Sequence, residues 1–434
     1  MVLLRHVIIR CTHFATVNDE NRPIVNPKTG MGDREHVLLI SLGYFRPSVS
    51  IEGGTLTAGG DLRLAQILSR GPYDRIQAHL LTAGMGDVDL IYGGCTVVTH
   101  SIDKCFLSKP HSLLTIQIIY LLRVVKALTY ISRHRKSLSA CTVYSASNLF
   151  PDAFVGWACK WVTKSSRWVA IAHHIPQPEL HNERSMQTRI QQLAYLIPLR
   201  IMARFATTII AYNSTVIDYL GGHLGKAQSI EVNGNGIDPE MLTPSKRPPS
   251  IPDLRGPIVM FVGRLSATKG VEDLVALWAK LSTQLGVVQL WVVGAEETMT
   301  RAQLAAKFRD AGILSGVHIL GTLRREELNW CLATADVLVQ PSKMEGWSLI
   351  SSESLWMGTP VVAWDLKSYR GLHSVGFHVV PFGDIDRFAS KVASLLKEEA
   401  RKRDKAQVEL YRKGLKTWSE IADREWRIIR GSVR

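Results

Sequence analysis

From residue 256 onward the chain alternates two patterns. Short runs dominated by β-branched and other apolar residues occur at Ile258–Val262, Val287–Val293, Val317–Leu320, Val337–Val339, Val361–Ala363 and Phe377–Val380. Between them lie segments with apolar residues three and four apart, at Val271–Leu285, Thr300–Ala311, Arg324–Ala335 and Asp384–Leu396. Strands without a polar face, separated by amphipathic helices, predict a parallel sheet covered by helices on both sides. The first half repeats the scheme less regularly. Its candidate strands are His36–Leu42, Arg75–Thr82, Cys141–Ser145, Trp168–His173 and Thr207–Tyr212, and its candidate helices Asp61–Ser69, Leu113–His134 and Gln187–Arg204.

Asn233–Asp238 and the proline-rich Pro244–Pro252 punctuate the chain between the halves, as a linker would. The expected organisation is an extension over 1–35, a Rossmann-like domain over 36–243, a linker over 244–255, a second Rossmann-like domain over 256–400 and a helical tail over 401–434. The tail reads as one long charged helix over Arg401–Arg430. The fold class is therefore α/β, two doubly wound domains facing a cleft, with ligands expected beyond the carboxyl ends of the strands.

Composition narrows the field. With 46% hydrophobic and 21% charged residues in 434, the chain is neither disordered, collagenous nor a coiled coil. Its six cysteines, at positions 11, 95, 105, 141, 159 and 331, form no C-x2-C pair and read as thiols in a reducing compartment. The N-terminus lacks the order of a secretory signal. The longest strongly apolar uncharged run, Ser112–Leu122, falls short of the roughly 20 residues a bilayer requires. A cytoplasmic protein is expected, at most peripheral at a membrane face.

Charge adds a partner. Lys and Arg number 52 against 38 Asp and Glu, a net +14. From Lys104 to Arg204 there are 14 basic residues against three acidic ones, a local +11. Within it, His111–Lys136 mixes a broad apolar face with Arg123, Lys126, Arg133, Arg135 and Lys136, a composition that suits a solvated core helix or an anionic membrane surface. No aromatic-interleaved basic stretch points to nucleic acid, and none is expected as a partner.

Candidate chemistry gathers in the second half. Gly263-Arg264-Leu265 follows the strand Ile258–Val262, and Lys269-Gly270 opens the next helix. Two cations beside a helix N-terminus make an anion site. After Val337–Gln340 comes Pro341-Ser342-Lys343-Met344-Glu345-Gly346-Trp347-Ser348-Leu349, then a helix carrying Glu353, then Gly358-Thr359-Pro360. Gly346 admits close backbone approach, and the amides of Gly346, Trp347, Ser348 and Leu349 are candidates to cradle a diphosphate. The Asp-x-Asp triplets Asp87–Asp89 and Asp384–Asp386 read as a turn and a helix cap, so no metal is expected.

These motifs, in this order, resemble the donor domain of the retaining GT-B glycosyltransferases of the large group 1 (GT4) family. Asn235-Gly236-Ile237-Asp238, Val380-Pro381-Phe382-Gly383-Asp384 and Trp418-Ser419-Glu420-Ile421-Ala422 resemble its domain junction and closing segments. The resemblance implies a metal-independent transfer of sugar from a nucleoside-diphosphate sugar to an acceptor hydroxyl on a lipid-linked molecule or a glycan, with no cofactor beyond that donor. It implies that Arg264 and Lys269 neutralise the diphosphate, that Glu345 contacts the sugar and that Glu353 holds the ribose. In the first half it implies that Gly60, in Gly59-Gly60-Asp61 before a helix, belongs to a glycine-rich loop. It likewise implies that His173, at a strand end, lies near the sugar. The short segment Lys367–Ser374 departs from the family, which has a longer glycine-rich loop with a glutamate there. Nucleotide-sugar epimerase, phosphorylase and non-catalytic binding subunit are the competing readings.

Overall fold

The computed structural model describes residues 34–43, 59–83, 90–92, 95–102, 113–138, 141–163, 167–173, 186–223, 229–243, 247, 251, 256–370, 375–397 and 405–432. They form two compact units, one taking 34–43, 59–234 and 421–432 and the other 235–420. This division differs from the expected segments: 235–255 joins the second unit, and the tail is shared between the two.

The first unit carries β1 (Glu35–Ser41), α1 (Gly59–Ser69), β2 (Ile76–Thr82), β3 (Leu90–Tyr92), β4 (Cys95–Ser101), α2 (Leu113–Arg133), β5 (Thr142–Ser145), α3 (Phe150–Thr163), β6 (Trp168–Ala172), α4 (Met186–Phe205), β7 (Thr208–Ala211), α5 (Ser214–His223) and β8 (Ile230–Val232). Its sheet has the order β3-β4-β2-β1-β5-β6-β7-β8, parallel except for the β3–β4 pair. The chain steps from β4 to β5, β6 and β7 in one direction across the sheet. Right-handed crossovers therefore put α2, α3 and α4 side by side on one face, and α1, which links β1 back to β2, on the other.

The shared face is filled by Val124, Ala127 and Ile131 of α2, Ala153 and Cys159 of α3, and Leu199 and Met202 of α4, against Leu38, Ile40, Val143 and Trp168. A Cβ at Gly156 would lie 2.2 Å from Ser145 Oγ, so only glycine lets α3 settle this close to the strands. Helix α2 overturns one expectation: its window Thr115–Arg133 has a mean hydropathy of 1.3 and is long and apolar enough to cross a membrane by length and composition. Here it packs one face on the sheet through Val124, Ala127 and Ile131 and leaves Leu121, Leu122 and Val125 exposed, while its Arg123 is buried and donates to the Leu42 carbonyl at 2.5 Å. The run looked too short because Arg123 interrupts it.

Two polar assemblies sit inside this unit. His36, His79 and His100 stack across β1, β2 and β4 with ring centroids 5.7 and 5.8 Å apart, and Tyr130 of α2 continues the column. On the opposite side, Arg63 of α1 forms a fully buried ion pair with Glu425. Glu425 also accepts from the Tyr144 hydroxyl at 2.5 Å and from Asn233 Nδ2 at 2.7 Å, while Arg63 donates to the Asn233 and Gly234 carbonyls.

The second unit carries β9 (Ile258–Val262), α6 (Val271–Gln284), β10 (Gln289–Val293), α7 (Arg301–Asp310), β11 (Val317–Gly321), α8 (Arg325–Thr334), β12 (Val337–Gln340), α9 (Leu349–Trp356), β13 (Val361–Trp364), β14 (Phe377–Val380), α10 (Ile385–Leu395) and α11 (Lys405–Arg412). Its sheet is wholly parallel, ordered β11-β10-β9-β12-β13-β14. Asn329 of α8 ties the junction segment to this unit by donating to the Met241 carbonyl at 2.5 Å.

The expected single tail helix is two. Gly414, at φ +92°, ends α11, and Thr417 restarts the chain as α12 (Trp418–Arg430). Glu420 accepts from the Thr417 amide at 2.8 Å while its own amide donates back to Thr417 Oγ1 at 3.2 Å, a capping box. From Ile421 on, α12 belongs to the first unit, where Trp426 donates to the Ile67 carbonyl at 2.9 Å. The tail is thus part of a core.

Two outcomes are expected. Glu425→Ala strands the Arg63 charge in the interior and should lower the unfolding free energy by about 3–5 kcal/mol. The paired Arg63→Met/Glu425→Leu variant should lose far less, both read as denaturant midpoints. Burial, then the neighbouring His100 and His36, hold His79 down to about 3. Below the ordinary value of 6.5 the unfolded chain therefore binds a proton that the folded one refuses, and stability falls with falling pH by about 2 kcal/mol at pH 5. His79→Phe should flatten the fall of melting temperature between pH 7 and 5.

Candidate functional site

In the second unit two loops at the carboxyl ends of β9 and β12 are laced together. Lys269 ends a 3-10 turn, Ala267–Lys269, and Gly270 follows at φ +74°. A Cβ at Gly270 would lie 1.8 Å from the Pro341 carbonyl oxygen, so the left-handed glycine both turns the chain and permits the contact. Lys343 N donates to Thr268 O at 2.9 Å across the same seam. Gly294, whose Cβ would lie 1.8 Å from Gly263 O, brings the end of β10 equally close to the start of the Arg264 loop.

The lacing brings the predicted residues Lys269 and Glu345 into contact, Nζ to Oε1 at 2.5 Å. Gln340 holds the same carboxylate: its Nε2 donates to Glu345 Oε1 at 3.2 Å and to Ser348 Oγ at 2.6 Å, and its Oε1 accepts from Ser351 Oγ. Ser348 is the N-cap of α9, accepting from the Ser351 amide at 3.3 Å. Gly346 and Trp347 form the loop between carboxylate and cap, and the amides of Leu349 and Ile350 lie in the first helical turn, where no helical carbonyl serves them.

The other predicted residues lie around this pair or in the first unit. Glu353, in the second turn of α9, takes Arg325 Nη1 on Oε2 at 2.9 Å. Arg264 is half exposed and paired with Glu297. Gly60 falls inside the first turn of α1, which begins at Gly59, so the glycines open the helix rather than precede it. His173 directly follows β6 and is buried. Its Nε2 faces the Ala146 carbonyl at 2.6 Å, so that nitrogen carries the hydrogen, and Nδ1 then accepts from the Tyr212 hydroxyl. Both ring nitrogens are engaged by the protein. The arginine of the buried pair completes the chain, with Arg63 Cζ 5.1 Å from the Tyr212 ring centre.

Two motifs resolve as scaffold. Asp384 caps α10 by accepting from the Arg387 amide at 2.9 Å, as expected, and Asp87–Asp89 lies outside the described residues. Thr359, in the Gly358-Thr359-Pro360 motif, donates its hydroxyl to the Leu332 carbonyl at the end of α8, and Ser354 Oγ donates to Thr359 O at 2.9 Å.

Three residues escaped the sequence: Gln340, Arg325 and Tyr369. Gln340 reads as the last residue of a strand, and Arg325 lies 28 positions from its carboxylate. Tyr369, in the short segment Lys367–Ser374, is 3% exposed and its hydroxyl has no hydrogen-bond partner among the described residues. Burial first, and then the Glu345 carboxylate, push that hydroxyl well above its usual pKa, which keeps it a donor. Only the departure of its segment from the family pattern marked the place.

Residues 244–413 match the family model described as Glycosyl transferases group 1. The 2-deoxystreptamine glucosyltransferase of Streptomyces kanamyceticus is 26% identical over 220 residues, covering 48% of this chain and 56% of that protein. The chain thus spans about half the length of the curated relatives it matches. Among solved structures, the sucrose-phosphate synthase of Thermosynechococcus elongatus superposes with a TM-score of 0.72 at 19% identity, over 92% of this chain and 99% of that one. Anabaena HepE in complex with UDP-glucose superposes with a TM-score of 0.63 at 17% identity, over 92% and 100%. The fold is GT-B, as the motifs implied.

Tyr369→Phe deletes an unsatisfied buried hydroxyl and should raise the unfolding free energy by about 1 kcal/mol. A lower denaturant midpoint in the variant would show that the hydroxyl has a partner in solution.

Proposed function

Residues 244–413 belong to the group 1 glycosyl transferases, and from that premise we propose that the protein transfers a sugar from a nucleoside-diphosphate sugar to an acceptor hydroxyl on a lipid-linked molecule or a glycan. The transfer retains the anomeric configuration and uses no metal ion. The observation that carries the reading is the Lys269–Glu345 pair, held by Gln340 at the start of α9. HepE, solved with UDP-glucose on the same fold, supports a nucleotide-sugar donor.

The chemistry follows from the pairing. A bound diphosphate offers Lys269 and Arg264 more negative charge than a single carboxylate does, and the first-turn amides of α9 add the partial positive charge of a helix N-terminus. As the Lys269 ammonium turns to phosphate, Glu345 is left beside Gln340 with oxygens to accept sugar hydroxyls. Glu353 accepts the ribose hydroxyls while Arg325 fixes its orientation. The bond from the anomeric carbon to the phosphate oxygen breaks, and the acceptor oxygen bonds to that carbon on the same face. The acceptor proton passes to the departing diphosphate. Fixed cations and amides stabilise that leaving group as its charge develops. Cys141, Cys159 and Cys331 are buried thiols outside any disulfide, which supports a reducing compartment such as the cytoplasm.

Arg264→Ala combined with Lys269→Ala should lower turnover at least about a hundred-fold while leaving the melting temperature within a few degrees. Near-normal turnover by that variant overturns the site. The same assay, run with a chelator present, should keep its rate, and the product should show the anomeric configuration of the donor by NMR.

A further inference from the structure

Tyr369 carries a buried hydroxyl that the free protein leaves unused. It ends the 3-10 turn Lys367–Tyr369, which follows β13. Strands β12 and β13 are parallel neighbours with Gln340 beside Ala363, so this turn and the loop to Glu345 leave the sheet side by side at its carboxyl end. The ring is held in place: it stands edge-on to Phe377 with centroids 5.1 Å apart, and the Tyr369 amide donates to the Leu366 carbonyl at 2.9 Å. The hydroxyl is nevertheless without a hydrogen bond among the described residues. Burial has removed the water that would serve it, so the group gains most from any acceptor that comes within reach.

The acceptor at hand is Glu345. Burial, and after it the charge of Glu345, holds the phenol in its protonated, donating form. Both hydrogen bonds that Glu345 accepts among the described residues, from Lys269 Nζ at 2.5 Å and from Gln340 Nε2 at 3.2 Å, fall on Oε1. Lys269 and Tyr369 are therefore rivals for one carboxylate. While the ammonium is present it wins, because a charged donor binds a carboxylate more strongly than a neutral one. A bound diphosphate draws the ammonium away, and the phenol is then the buried donor left beside the charge.

We propose that Tyr369 is a positioning residue, taking the Glu345 carboxylate by a hydrogen bond when Lys269 turns to the donor's diphosphate and so keeping it at the sugar. This rests on the transferase reading for its trigger, a bound diphosphate, whereas the rivalry of Lys269 and Tyr369 belongs to the chain alone. The phenol keeps its proton throughout. An ion pair is exchanged for a hydrogen bond to a charged acceptor, not for a stranded charge, which lowers the cost of releasing Lys269.

Two measurements decide it. The first needs no ligand. In the parent, Tyr369→Phe removes a hydroxyl without a partner and should raise the melting temperature. In Lys269→Ala, or in Lys269→Met, which keeps the apolar stem, the phenol already donates to Glu345, so the same substitution should lower it. The second uses UDP and UDP-glucose as probes. Tyr369→Phe should weaken UDP binding about ten-fold by calorimetry, because Glu345 then loses Lys269 without a replacement donor. KM for UDP-glucose should rise by the same factor while kcat stays within about two-fold of the parent. A melting temperature that moves in the same direction with and without Lys269 overturns the proposal. So does a Tyr369→Phe variant that binds UDP as tightly as the parent. Binding of neither probe to either protein would count against the transferase reading, and the comparison in the Lys269 variants would still decide the proposal.

Discussion

The first unit is organised around one buried charge. Arg63 is 1% exposed, and its guanidinium meets a carboxylate supplied from more than 360 positions later in the chain. An arginine in that position tolerates no improvised partner, because desolvating it costs several kcal/mol unless a counter-charge and hydrogen bonds are in place. Glu425 supplies the counter-charge, and Tyr144, Asn233 and the Asn233 and Gly234 carbonyls supply the hydrogen bonds. An apolar pair of the same volume would hold these helices together at least as well. What the ion pair adds is register: α12 closes correctly only where Glu425 reaches Arg63, which also seats Trp426 over the end of α1. The same guanidinium lies over Tyr212, whose hydroxyl fixes the tautomer of His173. The end of β6 is thus oriented by the last helix of the chain.

How much of this could be read beforehand depended on the range of each interaction. The second unit was legible nearly strand by strand, because Ile258–Val262, Val337–Gln340 and Val361–Trp364 are buried on both faces and their connecting helices are amphipathic. The first unit was less so. Helix α3 has no polar face to give it a period, since Phe150, Phe154, Trp157 and Trp161 fill its outer side with aromatic contacts, and it passed unrecognised. Strand β4 escaped because it is rich in threonine. The tail looked continuous because Gly414 and Thr417 are separately tolerable in a helix and break it only together.

The site divides in the same way. Lys269, Glu345 and Glu353 were found from local spacing around glycines and helix starts. Their partners were not, since Gln340, Arg325 and Tyr369 reach them through folding. Gln340 holds the Glu345 carboxylate alongside Lys269, whereas Arg325 is itself the cation paired with Glu353. Gln340 is the clearest case: one amide grips Glu345, the Ser348 cap and Ser351 together, so the loop and the helix start form a single hydrogen-bonded piece.

Charge balance differs between the two units. Around the second-unit site the cations are matched: Lys269 by Glu345, Arg325 by Glu353, Arg264 by Glu297 and Lys343 by Asp273. Such a site has little field beyond a Debye length of about 8 Å at physiological salt, and it would recognise an anion by exchanging partners at contact. In the helical layer of the first unit the one acidic side chain within α2, α3 and α4, Asp152, is buried. The excess of +14 therefore says little about the donor. Its largest local share, between Lys104 and Arg204, is carried in part by helices whose exposed cations follow exposed leucines.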